Sequence, residues 1–78
     1  MDDYKSLPAY RGWACSYESG DYSANYFTDR GGLHSLGYCR SYEDLKRKID
    51  SYIADGWINK RLTEEDRSRI QSKYSRYW

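Results

Sequence analysis

The chain has 78 residues, which is room for one domain with a small core. Its 13 basic and 12 acidic residues nearly balance, which argues against a dedicated nucleic-acid binder with a clear basic excess and against an acidic mimic of DNA. No apolar run approaches the roughly 20 residues that a membrane span needs, and no leader-like run precedes a cleavage site. We therefore expect a single cytoplasmic domain over residues 1–78.

Aromatic residues replace aliphatic ones in this composition. The chain has ten tyrosines, three tryptophans and one phenylalanine, and it has no valine. Each buried ring removes about 150–250 Å² from water, so a few rings can build a core. Ten tyrosines are more than so small a core holds, and exposed tyrosine is enriched where proteins meet partners. The alternative interpretation is that tyrosine only takes the place of leucine inside the domain.

The first half of the chain predicts an antiparallel sheet. Residues 1–8 are polar and end in the only proline, which indicates a flexible lead-in. Residues 9–40 then predict a meander of three strands at 10–17, 22–28 and 33–39, because polarity alternates within each segment. Short turns that contain glycine separate these segments, as is typical of hairpins.

The second half of the chain predicts two helices. Residues 41–55 have a helical apolar period, with Ser41 as the N-cap and Gly56 closing the helix in a left-handed conformation. Residues 63–76 predict a second helix, which opens with Thr63 and an acidic first turn. The expected fold is α+β: a three-stranded antiparallel meander packed against one helix, followed by a second C-terminal helix. One face of the sheet is then left to water or to a partner.

Few residues in the chain are suited to catalysis or metal binding. Cys15 and Cys39 fall on strands that lie two positions apart, about 9–10 Å at ~4.8 Å per strand, which is too far for a disulfide. We expect two buried thiols. Together with His34, the only histidine, they cannot supply four zinc ligands, and we expect His34 at the surface. We predict no metal, no cofactor and no enzymatic activity.

Binding is the class of function that remains. Arginine and tyrosine are typical anchors of protein interfaces, and we expect the sheet to present five of them. These are Arg11, Tyr17, Tyr22, Tyr26 and Arg30. Tyr74 and Arg76 form a second patch near the C-terminus, although a helix end that packs its rings on the sheet edge is an equal interpretation. Nine basic residues against five acidic ones between Lys46 and Arg76 indicate a solvated helix face, which could also meet an acidic partner surface.

Residues 10–53 resemble the plant ethylene-response-factor type of DNA-binding domain, and phage integrase arm-binding domains are similar in layout. The residues that carry the resemblance are Tyr10-Arg11-Gly12, Leu36-Gly37-Tyr38, Ser41, Glu43-Asp44 and Ile49-Asp50. The resemblance implies three strands followed by a helix. It also implies a sheet that enters the major groove of duplex DNA, here with Arg11, Trp13 and Arg30.

The chain also resembles, in type, the small phage-encoded inhibitors, anti-CRISPR proteins in particular. It is short, rich in tyrosine and α+β, and we expect it to begin at Met1 without a leader or a second domain. This resemblance implies a non-catalytic phage or mobile-element inhibitor that binds a CRISPR–Cas effector in a bacterial host cytoplasm. We favour it over DNA binding, because a near-neutral aromatic surface suits a protein partner. A homodimer that closes the open sheet face is compatible with it.

Overall fold

The computed structural model describes residues 4–29 and 32–74. Its elements in chain order are β1 (Lys5–Tyr10), β2 (Trp13–Glu18), β3 (Asp21–Phe27), β4 (Leu33–Cys39), α1 (Tyr42–Ala54), a 3₁₀ turn at Trp57–Asn59, and α2 (Glu64–Tyr74). The four strands pair antiparallel in the order β1-β2-β3-β4. The α+β class and the two helices are confirmed, but the described part of the sheet has four strands and not three.

The additional strand lies where a flexible lead-in was expected. β1 pairs with β2 although it contains Pro8, which is tolerated because β1 is at the edge of the sheet. Of the strand predicted at 10–17, Tyr10 ends β1 and residues 13–17 belong to β2. Arg11 and Gly12 form the turn between them with positive φ values of 50° and 86°, the conformation of a tight hairpin. Arginine is an unusual residue at a positive φ, so the residues Arg11-Gly12 are a weak signal for this turn.

One face of the sheet is covered by α1 and holds the core. Trp13, on β2, is completely buried, and its ring centroid lies 5.4 Å from those of Tyr26 on β3 and Tyr52 on α1. The other core side chains of the strands and α1 are mostly small or aliphatic: Cys15, Ala24, Leu36, Cys39, Leu45 and Ile49. Aromatic rings therefore supply the bulk of this core, as the composition predicted.

Both helices begin at the predicted caps. Ser41 Oγ accepts a hydrogen bond from the Asp44 N–H at 3.1 Å, and α1 is followed by Gly56 at a φ of 79°. At the start of α2, Thr63 Oγ1 accepts from the Asp66 N–H at 3.1 Å while the Asp66 carboxylate accepts from the Thr63 N–H at 3.3 Å. Within the described ranges, neither helix has the length and apolar character needed to cross a bilayer.

His34 is buried and not at the surface as expected. It is 2% exposed on β4, and a hydrogen bond of 2.6 Å joins its Nδ1 to the Tyr52 hydroxyl. Strand alternation places His34 on the same side as Leu36, which faces the helix. Burial lowers the pKa of His34, so the ring is neutral at pH 7.

The two thiols are free and buried, as predicted. Cys15 lies on β2 and Cys39 on β4, with β3 between them, so the two strands are again two positions apart. Burial raises the pKa of both thiols, which keeps them protonated and unreactive at neutral pH.

Candidate functional site

The three sheet tyrosines expected in a binding surface point towards the helix layer. Tyr17 pairs with Tyr22 across β2 and β3, two residues along the same face from the buried pair Cys15 and Ala24. Tyr17, Tyr22 and Tyr26 are each half-buried, and the rings of the first two are in contact at a centroid distance of 4.8 Å, tilted by 55°. All three tyrosines therefore lie on the covered face, and their role in binding a partner stays a prediction. Alternation shows which residues share a face, but it does not show which face the helix covers.

Arg11 is the arginine of the expected binding site that lies within the described residues, and it links the β1–β2 turn to α1. Arg11 Nη1 donates to Asp50 Oδ1 at 2.9 Å, and the Tyr10 hydroxyl donates to the same carboxylate at 2.9 Å. Arg11 and then Tyr10 lower the pKa of Asp50 through these hydrogen bonds. The arginine already has a partner within the chain, so its charge is locally balanced. Arg30 and Arg76 lie outside the described residues.

Tyr74 is a packing residue at the end of α2. Its ring is buried with a centroid 5.4 Å from that of Tyr52. Its hydroxyl donates to the Asp55 carboxylate, which also accepts from Lys73 Nζ at 2.6 Å. Two interpretations were open for this region, a binding patch and a helix end that packs its rings inward. Tyr74 fits the second.

The open face of the sheet carries small polar side chains. The central ones share cross-strand positions on this face: Ser6, Ser16, Ser23, Asn25 and Ser35. Glu18 pairs with Asp21 at one end of it. No lysine or arginine of the described strands lies on this face, so it offers no positive charge to a phosphate backbone.

Three large side chains project from the β3–β4 half of the sheet, and we call them the β3–β4 patch: Phe27, Leu33 and Tyr38. Their exposed fractions are 72%, 43% and 54%. Phe27 and Leu33 are directly paired across the two strands, and Tyr38 lies near the other end of β4. Between them a shallow depression is lined by Ser23, Asn25, Ser35 and Tyr38. Exposed aromatic anchors around small polar groups are typical of adaptable protein-binding surfaces.

A bulge in β4 determines the position of Tyr38. The pairing shifts between Tyr22–Cys39 and Ser23–Gly37, which leaves Tyr38 as the extra residue. Gly37 is required there, because a Cβ at this position would lie 2.7 Å from the Ser23 Cβ. A glycine inside a strand pattern is a known bulge signal, and it could have drawn attention to Tyr38.

The described residues contain no group of three or more histidine, cysteine, aspartate or glutamate side chains placed to hold a metal ion. The two thiols and the Tyr52 hydroxyl are buried with raised pKa values, so they stay protonated at neutral pH, and His34 is hydrogen-bonded to Tyr52. The chain matches no protein-family model, no curated protein and no solved structure.

Proposed function

We propose that this chain is a non-catalytic inhibitor that binds a CRISPR–Cas effector protein in the cytoplasm of a bacterial host. The resemblance in type to small phage-encoded inhibitors suggests the partner. The observation that supports protein binding is the β3–β4 patch, where Phe27 is 72% exposed on a face to which the described strands contribute no basic side chain. A protein partner rewards such anchors, because they are desolvated on binding.

The dimensions of the patch suit a compact interface. Leu33 and Tyr38 are five residues apart on one strand, about 17 Å at ~3.3 Å per residue. A standard interface buries roughly 800 Å² on each partner, so anchors at both ends of β4 fit within one. The paired strands hold Phe27 and Leu33 side by side before any partner arrives. Little order then has to be created on binding, which favours affinity.

No described residue favours the alternative of a sheet that enters a DNA groove. Trp13, one of the three residues it would use, is completely buried, and Arg11 is paired with Asp50. Glu18 and Asp21 would approach phosphates. Protein binding is therefore the better supported of the two hypotheses.

A phage-plating assay tests the function. Host cells with an active CRISPR–Cas system and a targeting spacer are given the wild-type chain, a Phe27→Ser/Leu33→Ser double variant, or a Tyr4→Ser control. Tyr4 lies outside the patch and is 56% exposed, so Tyr4→Ser also removes an exposed aromatic ring, but at a different place on the surface. We expect the wild type and the control to restore plating and the double variant to fail.

Purified effector then shows whether the effect is direct. The wild type should co-elute with it and the double variant should not, with both variants folded by circular dichroism. Failure of the wild type to restore plating across hosts that carry the different CRISPR types would contradict the proposal. Equal losses in the Tyr4→Ser control and the double variant would contradict the choice of surface.

A further inference from the structure

A groove lies between the outer edge of β4 and α2. It has a volume of about 180 Å³. Its main walls are the β4 residues Leu33, Ser35 and Leu36 and the α2 residues Arg67, Ile70 and Tyr74. Leu36, Ile70 and Tyr74 are buried side chains, so the bottom of the groove is apolar. β4 is the last strand in the sheet order, so no described strand pairs with its outer edge.

The two edges of the sheet differ in their protection. β1 carries Lys5 and Pro8, a charge and a residue without an N–H, and both discourage the pairing of another strand. β4 carries the bulge at Tyr38 and a hydrogen bond from Lys48 towards its end, but its first four residues, 33–36, contain no charge, no proline and no bulge. An edge of this kind is a template for an added strand.

The backbone of β4 is oriented to accept such a strand. The Thr28 N–H donates to the Gly32 carbonyl at 3.0 Å, and hydrogen-bonded pairs alternate along an antiparallel ladder. By this alternation Leu33 and Ser35 occupy non-hydrogen-bonded pairs, and their N–H and C=O groups point away from β3. Lys48 Nζ donates to the Gly37 carbonyl at 3.1 Å, which fits the same alternation two residues further along.

Positive charge borders the groove. A second cavity of about 190 Å³ adjoins it and is lined by Lys60, Arg61 and Arg67, with no carboxylate in its wall. Arg67 lines both cavities, and neither arginine side chain forms an ion pair with any residue in the described ranges. Asp66, the acidic neighbour of Arg67, is engaged in the α2 cap with Thr63. A partner that places a negative charge beside the β4 edge would therefore complement the charge of these two arginines.

We propose that β4 and α2 bind an extended acidic segment of a partner protein, which joins the four-stranded sheet as a fifth strand. One of its apolar side chains enters the groove above Leu36 and Ile70, and a carboxylate two residues away meets Arg67. A second copy of this chain is a poorer occupant, because its own β4 brings no carboxylate to the arginines. This inference does not depend on the partner being a CRISPR–Cas effector.

Fluorescence anisotropy with defined peptides tests the proposal. The probe is a labelled nine-residue peptide with valine and glutamate alternating at its odd positions and threonine between them. Its counterpart has lysine in place of glutamate. We expect the glutamate peptide to bind about tenfold more tightly, since a complementary charge at an exposed arginine favours one sign over the other.

Two variants on α2 test the site. Arg67→Glu should weaken binding of the glutamate peptide by about tenfold, because it reverses the charge at the groove. Arg69→Glu is the matched control: Arg69 pairs with Glu65 at 3.5 Å and lines neither cavity. It should leave the affinity unchanged. Equal effects of the two substitutions would place the peptide elsewhere and overturn the assignment.

Backbone methylation of the peptide tests strand addition itself. N-methyl groups on the residues whose N–H faces β4 should abolish binding, and methyl groups on the alternate residues should be tolerated. Equal binding by the two methylated peptides overturns strand addition. A protein that sediments as a dimer through β4 and binds neither peptide overturns the assignment in favour of a second copy.

Discussion

The two faces of the sheet carry different side chains: the covered face buries aromatic rings, and the open face carries small polar groups. The helix-covered face encloses rings, with Trp13 and Tyr52 packed edge to face at a centroid distance of 5.4 Å. On the open face, hydroxyl and amide groups bond to one another, as in the 2.7 Å hydrogen bond from Ser35 to Asn25, while Phe27 projects into water. Of the described tyrosines, Tyr52 and Tyr74 are buried in the core, and four more pack against it partly buried: Tyr10, Tyr22, Tyr26 and Tyr42. Exposure, and not the number of rings, identifies the binding candidates.

The largest expected effect comes from removing the ring at the centre of the covered face. Trp13→Ala should lower the free energy of unfolding by about 3–5 kcal/mol, the usual cost of deleting a large buried aromatic side chain. Phe27→Ala, which removes an exposed ring, should change it by less than about 0.5 kcal/mol. Urea denaturation followed by circular dichroism measures both. Similar losses for the two variants would mean that the faces do not differ as described.

A smaller effect on the free energy of unfolding is expected at Gly37, where the open face has no room for a side chain. Gly37→Ala should destabilise the fold by about 1–3 kcal/mol, because the new Cβ would meet the Ser23 Cβ at 2.7 Å. Adding Ser23→Gly removes that contact, so the double variant should lose less than the two single variants together. A double-mutant cycle in urea measures the coupling. Simple additivity would show that the clash is relieved by some other movement.

The smallest effect is a pH dependence that originates on the covered face. The pKa of His34 is lowered in the folded chain from about 6.5, so the unfolded chain binds more protons below that pH. Stability should therefore fall as the pH drops from about 6.5 to 5, before most carboxylates titrate. His34→Gln should flatten the curve in this window, since the chain has no other histidine. A wild-type curve that is flat there would contradict the buried, neutral state of His34.

Local signals in the sequence predicted the helices well. Helix caps and left-handed turns depend only on residues close by in the sequence, so they can be predicted without knowing the fold. This applies to Ser41, Gly56 and Thr63. The buried thiols were predicted on similar grounds. The same was true of the second and third predicted strands, whose turns contain glycine.

The predictions that were wrong concern residues whose conformation or burial depends on contacts with distant parts of the chain. Pro8 was interpreted as the end of a lead-in, but its strand lies at an edge where a missing N–H does no harm. Arg11 lies in a turn that is held by Asp50, which is 39 residues away in sequence. His34 became a core residue because Tyr52 supplies a hydrogen-bonding partner. None of these contacts leaves a local pattern.

The candidate site could be predicted only in part. Strand alternation predicts that Phe27 and Tyr26 lie on opposite faces of the sheet, but which of the two is exposed depends on where α1 packs. Tyr38 owes its exposure to a bulge that Gly37 alone signals. The groove beside β4 depends on how a strand and a helix are placed relative to each other, and two of its lining residues, Leu36 and Ile70, are 34 positions apart in the sequence.

The attachment of α2 determines how that groove can accommodate a strand. Ile70 and Tyr74 are its buried residues, and its end is fastened to Asp55 by Lys73 and Tyr74. These two hydrogen bonds lower the pKa of Asp55 and keep it ionised at neutral pH, so the fastening persists. The wall of the groove that Ile70 and Tyr74 form is therefore fixed against the rest of the domain before a strand arrives, so little order has to be created there on binding.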